Sequence, residues 1–527
     1  MNCVLPVALL LAWCIHLCAA ESGLREERIE STVVGEPIVW HGFETGEPAE
    51  SVAVATDIDG VPVYPKDRPA DYWGVRHPGW TPALLNAKGN PPDITFDPGR
   101  EEVCDIYLGL RSVDPVMTFA IRLSSEEEFT TITAPAATRT HHFDFEFHWK
   151  AEAPMRGEKI VVRALGKPVY IQYFKFVPRV TRAFTALAPE EHYTVMREGG
   201  RHFAFPGVTQ VANGDLLAVA REGDAHVCPK GRIVLSRSTD LGKTWSPREV
   251  IYETPSDERD PAIITLRDGT VVCSFNTWDS WRGSSALRNR YAADTAHMEE
   301  VGWGKYSGSW TMFSKDQGKT WSERHLAPVF SPHGPVQGPD DALYWVGMQG
   351  RDGAEVTLIW RSADLGLTWE RFSEVCYGPG QAHSASTMVW DEPNILFLPG
   401  NRALCTFRVD YVGNVYQAAS SDGGRTWGWP RKVNVWGYPQ QLCGLSDGRL
   451  LMAYGYRREP LGIRACLSAD QGRTWDMDRE IVFRHEGGNV DLGYPYSIEL
   501  ADGSVYTVYY YNDRGGDCYI EGARYRP

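Results

Sequence analysis

From about residue 190 to the end, the chain alternates short apolar runs with turn residues. An apolar run broken by Asn-Gly or Asp-Gly recurs as Val211-Ala-Asn213-Gly214-Asp-Leu-Leu217, Leu266-Arg-Asp268-Gly269-Thr-Val-Val272, Leu445-Ser-Asp447-Gly448-Arg-Leu-Leu451 and Leu500-Ala-Asp502-Gly503-Ser-Val505. Such dipeptides between apolar runs predict tight two-residue hairpins, because the turn needs positive φ that Asn, Asp and Gly tolerate. Residues 21 to about 182 lack this recurrence and alternate apolar with polar, as in Asp105-Ile-Tyr-Leu-Gly-Leu110 and Val169-Tyr-Ile-Gln-Tyr-Phe-Lys-Phe-Val177. That alternation predicts an antiparallel β-sandwich of jelly-roll type, joined to the rest by a linker near Arg182 to Glu190.

A second motif recurs five times: Ser238-Thr-Asp240-Leu-Gly242-Lys-Thr244-Trp245, Ser314 to Trp321, Ser362 to Trp369, Ser420 to Trp427 and Ser468 to Trp475. All five read S-x-D-x-G-x-T-W, 48 to 76 residues apart, each behind an apolar run such as Arg232-Ile-Val-Leu-Ser236. The chemistry is that of a turn: the Asp carboxylate accepts backbone N–H bonds, Gly takes positive φ, and Trp packs on the layer beneath. These Asp residues are therefore structural. Repeats at this spacing suit four-stranded propeller blades, and counting the units gives six, the last closing near Tyr509.

The 51 Gly, 34 Pro, 19 Trp and 24 Tyr fit many short strands and tight turns, which sharpens the all-β expectation. A net charge of −15 argues against a nucleic-acid partner, so an anionic ligand needs a local basic pocket. The apolar run Leu9 to Leu17, ending in Cys18-Ala19-Ala20, reads as a signal peptide over residues 1–20 and places the protein outside the cytoplasm, secreted or periplasmic. No later segment is long and apolar enough to span a membrane. The remaining cysteines, Cys104, Cys228, Cys273, Cys376, Cys405, Cys443, Cys466 and Cys518, form no CxxC pair; most are expected as small apolar residues inside strands, with one or two disulfides allowed. No run has the spacing of a calcium loop, so no cofactor is expected. In His141-His142-Phe-Asp144-Phe-Glu146-Phe-His148-Trp149, strand alternation puts His142, Asp144, Glu146 and His148 on one face; a solvated face is the reading preferred there over a metal site.

The five S-x-D-x-G-x-T-W motifs resemble the Asp-boxes (BNR repeats) of the sialidase superfamily, over residues 190–527. The resemblance implies a six-bladed β-propeller, metal-independent hydrolysis of a terminal acidic sugar, a Tyr nucleophile activated by Glu, an Asp acid/base, and three Arg on the sugar carboxylate. A neutral Tyr approaches an anionic sugar without charge repulsion, and a carboxylate activates its hydroxyl. Gly493-Tyr494-Pro495-Tyr496 looks like the segment bearing the nucleophile, Tyr494, with Tyr496 as substitute. Asp391-Glu392-Pro393 leading to Thr406-Phe407-Arg408 is similar to the strands supplying the Glu and one Arg, here Glu392 and Arg408. Tyr454-Gly455-Tyr456-Arg457, with Arg464 shortly after, resembles the region of another Arg; Arg457 and Arg464 both qualify. Ala220-Arg221-Glu-Gly-Asp224-Ala-His226 resembles the acid/base segment, giving Asp224 with Arg221 and His226 beside it, His226 being an equal proton donor near neutral pH. The family's Arg-Ile-Pro is replaced by Ala204-Phe205-Pro206, which leaves the triad one Arg short unless Arg201, His202 or Arg259 substitutes. Arg259-Asp260-Pro261 and His333-Gly334-Pro335 begin strands in the same register and are expected at the mouth.

Two rivals keep the propeller. One is a non-catalytic glycan-binding module, which the missing Arg favours. The other is a lyase cleaving a uronate-containing polysaccharide with Tyr and His as base and acid.

Overall fold

The structure, a computed structural model, describes residues 23–34, 38–41, 43–44, 80–81, 83–85, 94–96, 103–112, 116–135, 145–150, 158–165, 169–347, 356–377, 389–410, 413–458, 460–513 and 516–527. The chain is nearly all β and divides into two compact units, one of Glu30–Arg182 and one of Met1–Ile29 with Ala183–Pro527. No helix among the described residues is long and apolar enough to cross a membrane. The signal segment 1–20 lies outside the described residues.

In the smaller unit, Val103–Ser112 lies antiparallel between Phe145–Lys150 and the long strand Val169–Pro189, which also pairs with Ile38–His41 and Ala83–Leu85. A second sheet runs Ile94–Phe96, Ile160–Ala164, Val116–Leu123, Thr130–Pro135. Ile106, Leu108, Phe119, Ile160 and Val162 are buried, as the alternation requires. His142 and Asp144 lie outside the described residues, and Glu146 and His148 are described in backbone only.

The larger unit is a series of antiparallel four-stranded meanders. Sheet I holds His202–Gln210, Leu216–Gly223, Arg232–Ser238 and Glu249–Tyr252; sheet II holds Asp257–Thr265, Val271–Trp278, Gly308–Ser314 and His325–Ala327. Sheet III is Val336–Gln337, Leu343–Gly347, Val356–Ser362 and Glu370–Cys376; sheet IV is Val389–Leu398, Arg402–Asp410, Asn414–Ser420 and Arg431–Trp436. Sheet V is Gln440–Gly444, Leu450–Tyr456, Gly462–Ser468 and Asp476–Arg484. Sheet VI joins Gly493–Glu499, Val505–Asn512 and Cys518–Tyr525 to His192–Met196, so its outer strand comes from 300 residues earlier in the chain.

The two recurring turns occupy fixed places in each meander. The Asn-Gly and Asp-Gly pairs link first to second strands, with Gly214, Gly269, Gly448 and Gly503 each donating N–H to the carbonyl three residues back. Each S-x-D-x-G-x-T-W motif links third to fourth strands. In the last copy Ser468 Oγ donates to Asp470 Oδ1 at 2.8 Å and accepts from Gly472 N at 2.8 Å, while Asp470 accepts Thr474 N and Thr474 Oγ1 at 2.9 and 2.6 Å. Gly242, Gly318, Gly366, Gly424 and Gly472 all have φ between 80 and 88°. Sheet VI has no such motif between its third and fourth strands, the fourth being supplied by residues 192–196.

One finding departs from expectation. Sheet II carries the helices Ser285–Arg290 and Ala292–Val301 between its second and third strands. Only Thr295 and Met298 of these are buried, so no apolar stripe announces them. Among the described residues Cys228, Cys273, Cys376, Cys405, Cys443, Cys466 and Cys518 are free thiols, and all but Cys376 are buried as apolar filling, as expected of most of them.

Candidate functional site

The first strands of sheets I, II, IV and VI share one local device. Phe205-Pro206, Asp260-Pro261, Glu392-Pro393 and Tyr494-Pro495 each sit at a break in register, between Ala204 and Gly207, Arg259 and Ala262, Asp391 and Asn394, and Gly493 and Tyr496. Proline has no N–H for the ladder, so a bulge is where a strand accommodates it. The residue before it takes φ of 56, 51, 46 and 48° respectively, a left-handed conformation that side chains with a Cβ seldom adopt. Four side chains are thereby turned out of the regular in-and-out alternation. Phe205, Pro206, Pro261, Ala262, Tyr494 and Pro495 line one small cavity, together with Pro332, His333 and Tyr496.

Tyr494 and Glu392, from sheets VI and IV, meet directly: the phenol donates to Glu392 Oε1. Arg408 Nη1 lies 2.9 Å from the same oxygen, and the carboxylate's other oxygen, Oε2, is buried with no partner. Arg457 donates from Nε to the Leu492 carbonyl at 2.9 Å and from Nη2 to the Tyr510 hydroxyl at 3.3 Å, and its guanidinium lies 5.8 Å from the Tyr494 ring centre. Arg408 and Arg457 both lie over the Tyr438 ring, at 4.5 and 5.5 Å. Burial works to raise the Glu392 pKa, but Arg408 first, then the Tyr494 hydrogen bond and Arg457, hold it below the ordinary carboxylate value. Tyr494 is pushed well above the ordinary phenol value, by burial first and then by the negative charges of Glu392 and Asp260. The pair therefore rests as neutral phenol and carboxylate.

Asp260 is 9% exposed, and its pKa is raised to about 6 by burial first, with Arg259 opposing and Glu392 reinforcing. Two carboxyl groups that sense each other are thus pushed apart, one ionised and one close to neutrality. Arg259 donates to the His226 carbonyl at 2.6 Å and to Asp257 Oδ2 at 3.1 Å, and it lies 4.8 Å over the Phe205 ring.

The other expected residues are placed differently. Arg221 is fully buried, with Nε 2.8 Å from Asp257 Oδ1, Nη1 2.9 Å from the Ala225 carbonyl and Nη2 3.2 Å from Cys228 Sγ. Arg464 is buried against Glu480, 2.9 Å away, which also accepts from Tyr454. Asp224 is exposed and paired with Arg201. Ala204 is fully buried, and His202, one of the residues weighed in its place, turns to Asp491. His226 is half-exposed at 44% of its side chain, with Nδ1 2.8 Å from Asp491 Oδ1.

Asp491 is the residue that the sequence does not announce. It lies in the loop before Gly493–Glu499 and gathers His202 Nε2 at 2.8 Å, His226 Nδ1 at 2.8 Å and the Tyr510 hydroxyl at 3.1 Å. Its partners are 265 and 289 residues away in sequence, so no spacing reveals it.

Residues 295–507 match the BNR repeat-like domain family. The chain is 24% identical over 355 residues to a sialidase of Micromonospora viridifaciens, a match covering 59% of this chain and 50% of that protein. It is 27% identical over 228 residues to a sialidase of Bacteroides fragilis, covering 39% of this chain and 36% of that protein. The chain thus spans about half or less of the length of the curated relatives it matches. Among solved structures, it is similar to a protein of unknown function from Dyadobacter fermentans, at a TM-score of 0.53 and 27% identity over 63% of this chain and 97% of that one. The BNR repeat-like match over residues 295–507 and the two sialidase relatives thus support the resemblance to the sialidase superfamily that the five motifs carry.

Proposed function

We propose that the chain is a secreted glycosidase of sialidase type that hydrolyses a terminal acidic sugar with Tyr494 as nucleophile. The observation that carries this reading is the Tyr494–Glu392–Arg408 contact, in which a phenol donates to a carboxylate whose charge is stabilised by a cation on the same oxygen. As the phenol oxygen attacks the anomeric carbon, its proton moves to Glu392, and the glycosyl–tyrosine formed is later hydrolysed with retention. Arg408 and Arg457 supply positive charge beside this centre, and Arg457 Nη1 has no protein hydrogen bond among the described residues, which suits a carboxylate ligand. His333, which lines the cavity, leaves Nε2 buried without a partner, and Glu392 leaves Oε2 so; a bound ligand or water offers the missing bonds.

In this reading the six meanders are the blades of a six-bladed propeller, their first strands around the axis, and Glu30–Arg182 is a β-sandwich scaffold. Residues 1–20 are the secretion signal. With alanine at 204, two cations rather than three meet the sugar, so a uronic acid, another acidic sugar or a neutral one suits the site as well as sialic acid.

The test is release of sugar from aryl glycosides and natural glycans bearing terminal sialic, glucuronic and neutral sugars, followed by chromatography that also detects unsaturated products. A saturated acidic sugar supports the hydrolase. An unsaturated product selects the lyase, and silence across the panel selects the glycan-binding module.

A further inference from the structure

Two loops, bearing His226 and Asp491, and two strands, bearing His202 and Tyr510, meet at Asp491, and the contacts fix more than position. Asp491 is held by its own N–H to Asn489 Oδ1 at 2.7 Å, and its carboxylate serves His202, His226 and the Tyr510 hydroxyl. Tyr510 in turn accepts Arg457 Nη2, which ties this cluster to the Tyr494 centre. His226 packs edge-to-face on Phe205, with ring centres 5.5 Å apart, and Phe205 packs edge-to-face on Tyr494 at 4.7 Å.

The hydrogen-bond partners assign the His226 tautomer. A carboxylate at Nδ1 requires the proton there, whereas the Arg259 guanidinium, with Nη2 3.4 Å from Nε2, requires a lone pair there. The groups facing this ring are Asp491, Arg259 and His202. Its pKa is lowered, first by the surroundings that replace water, then by Arg259 and His202, with Asp491 opposing. The result is an imidazole that rests neutral, with Nε2 as its proton-accepting atom, while Asp491 holds the ring.

The ligand atoms of His202, His226 and Asp491 lie within 4.8 Å of one another, a spacing open to a metal ion, but the outer nitrogens do not fit one. A metal-bound imidazole donates its other N–H to an acceptor. Here His202 Nδ1 is buried without a partner, and His226 Nε2 faces a guanidinium donor.

We infer that His226, positioned by Asp491, is the acid–base residue for the leaving group and the incoming water, in the place where the family resemblance suggested Asp224. The inference rests on the hydrolase reading above. In the first step the Tyr494 oxygen bonds to the anomeric carbon and its proton passes to Glu392. The glycosidic C–O bond breaks, its electron pair stays on the departing oxygen, and that oxygen takes the Nε2 proton of His226 in its imidazolium form. In the second step a water oxygen bonds to the anomeric carbon and gives a proton to His226 Nε2. The bond to Tyr494 breaks, and the phenolate recovers its proton from Glu392. Asp224, exposed and bound by Arg201, has neither the aromatic wall nor the held geometry for this work.

The experiment is a leaving-group series of aryl and alkyl glycosides of the sugar that the wild type releases. In His226→Gln, kcat/KM is expected to fall about 10²–10⁴-fold on alkyl and other poor leaving groups and less than about 10-fold on dinitrophenyl, with loss of the alkaline limb of the pH profile. Asp491→Ala follows in the same sense with a smaller fall. A uniform loss across the series, or an unchanged alkaline limb, overturns the assignment. A second measurement needs no substrate: carbethoxylation by diethyl pyrocarbonate at neutral pH, read by peptide mass spectrometry against the exposed His297. His226 is expected to react several-fold faster than His297 in the wild type and to lose that advantage in Asp491→Ala. Equal rates in both proteins overturn the dyad, whereas the expected rates with a silent glycan panel overturn the hydrolase reading alone.

Discussion

The S-x-D-x-G-x-T-W turns and the residue–proline bulges of the larger unit repeat in opposite ways. The five S-x-D-x-G-x-T-W turns repeat sequence, conformation and hydrogen bonds together, and their side chains are used up within the turn itself. The four residue–proline bulges repeat only the backbone: φ stays within 46 to 56°, while the residue that adopts it is Phe205, Asp260, Glu392 or Tyr494. A repeat that fixes its residues is scaffold. One that fixes a strained conformation and frees the residue offers equivalent positions for different chemistry, and three of the four here are ionisable groups that act electrostatically on one another.

If that contrast holds, substitutions at the bulges act on turnover without lowering stability, and substitutions in the turns lower stability. The largest expected effect is from Tyr494→Phe, which removes the attacking oxygen; kcat/KM should fall at least about 10³-fold with the circular dichroism spectrum unchanged, and near-wild-type turnover rejects the nucleophile. Glu392→Gln follows, with an expected loss of about 10²–10⁴-fold and disappearance of the acidic limb of the pH–rate profile, since the group that must be ionised is gone.

Asp260→Asn sharpens the comparison through stability. The folded-state pKa of Asp260 is raised from 3.8 to about 6, so its contribution is fully present below pH 3.8 and is lost as pH rises through about 6. The variant should lack that decline and, at pH 7, gain up to about 3 kcal/mol over the wild type by chemical denaturation. A variant less stable at pH 7 shows that Asp260 is held ionised by Arg259. The smallest effect on activity belongs to Ser468→Ala, which strips the buried Gly472 N–H of its acceptor. A loss of about 1–3 kcal/mol is expected in denaturation with kcat/KM unchanged, and a change in kcat/KM contradicts the division between scaffold and site.

Much of this was legible in the sequence, because turn chemistry is local. The Asn-Gly and Asp-Gly pairs and the Asp-boxes name their own positions, and the resemblance carried by the boxes brought Tyr494, Glu392, Arg408 and Arg457 into one list that the fold brings into one place. A further local signal went unread: Pro206, Pro261 and Pro495 each stand seven residues before Asn213, Asp268 and Asp502, marking the bulged strand by its distance from its turn. The rest depends on pairing across the chain. Arg221 and Arg464 resemble ligand-binding cations until Asp257 and Glu480 are seen beside them, and Asp491 has no motif because its two histidine partners lie 265 and 289 residues away.

Sheet VI is built from both ends of the larger unit, His192–Met196 closing on Cys518–Tyr525. In chain order the strand that carries Tyr494 follows the strands of the other five sheets, and its own sheet pairs Cys518–Tyr525 with a strand about 300 residues earlier. A chain cut before Cys518 leaves His192–Met196 without its partner strand, an unpaired edge of the kind that recruits other chains.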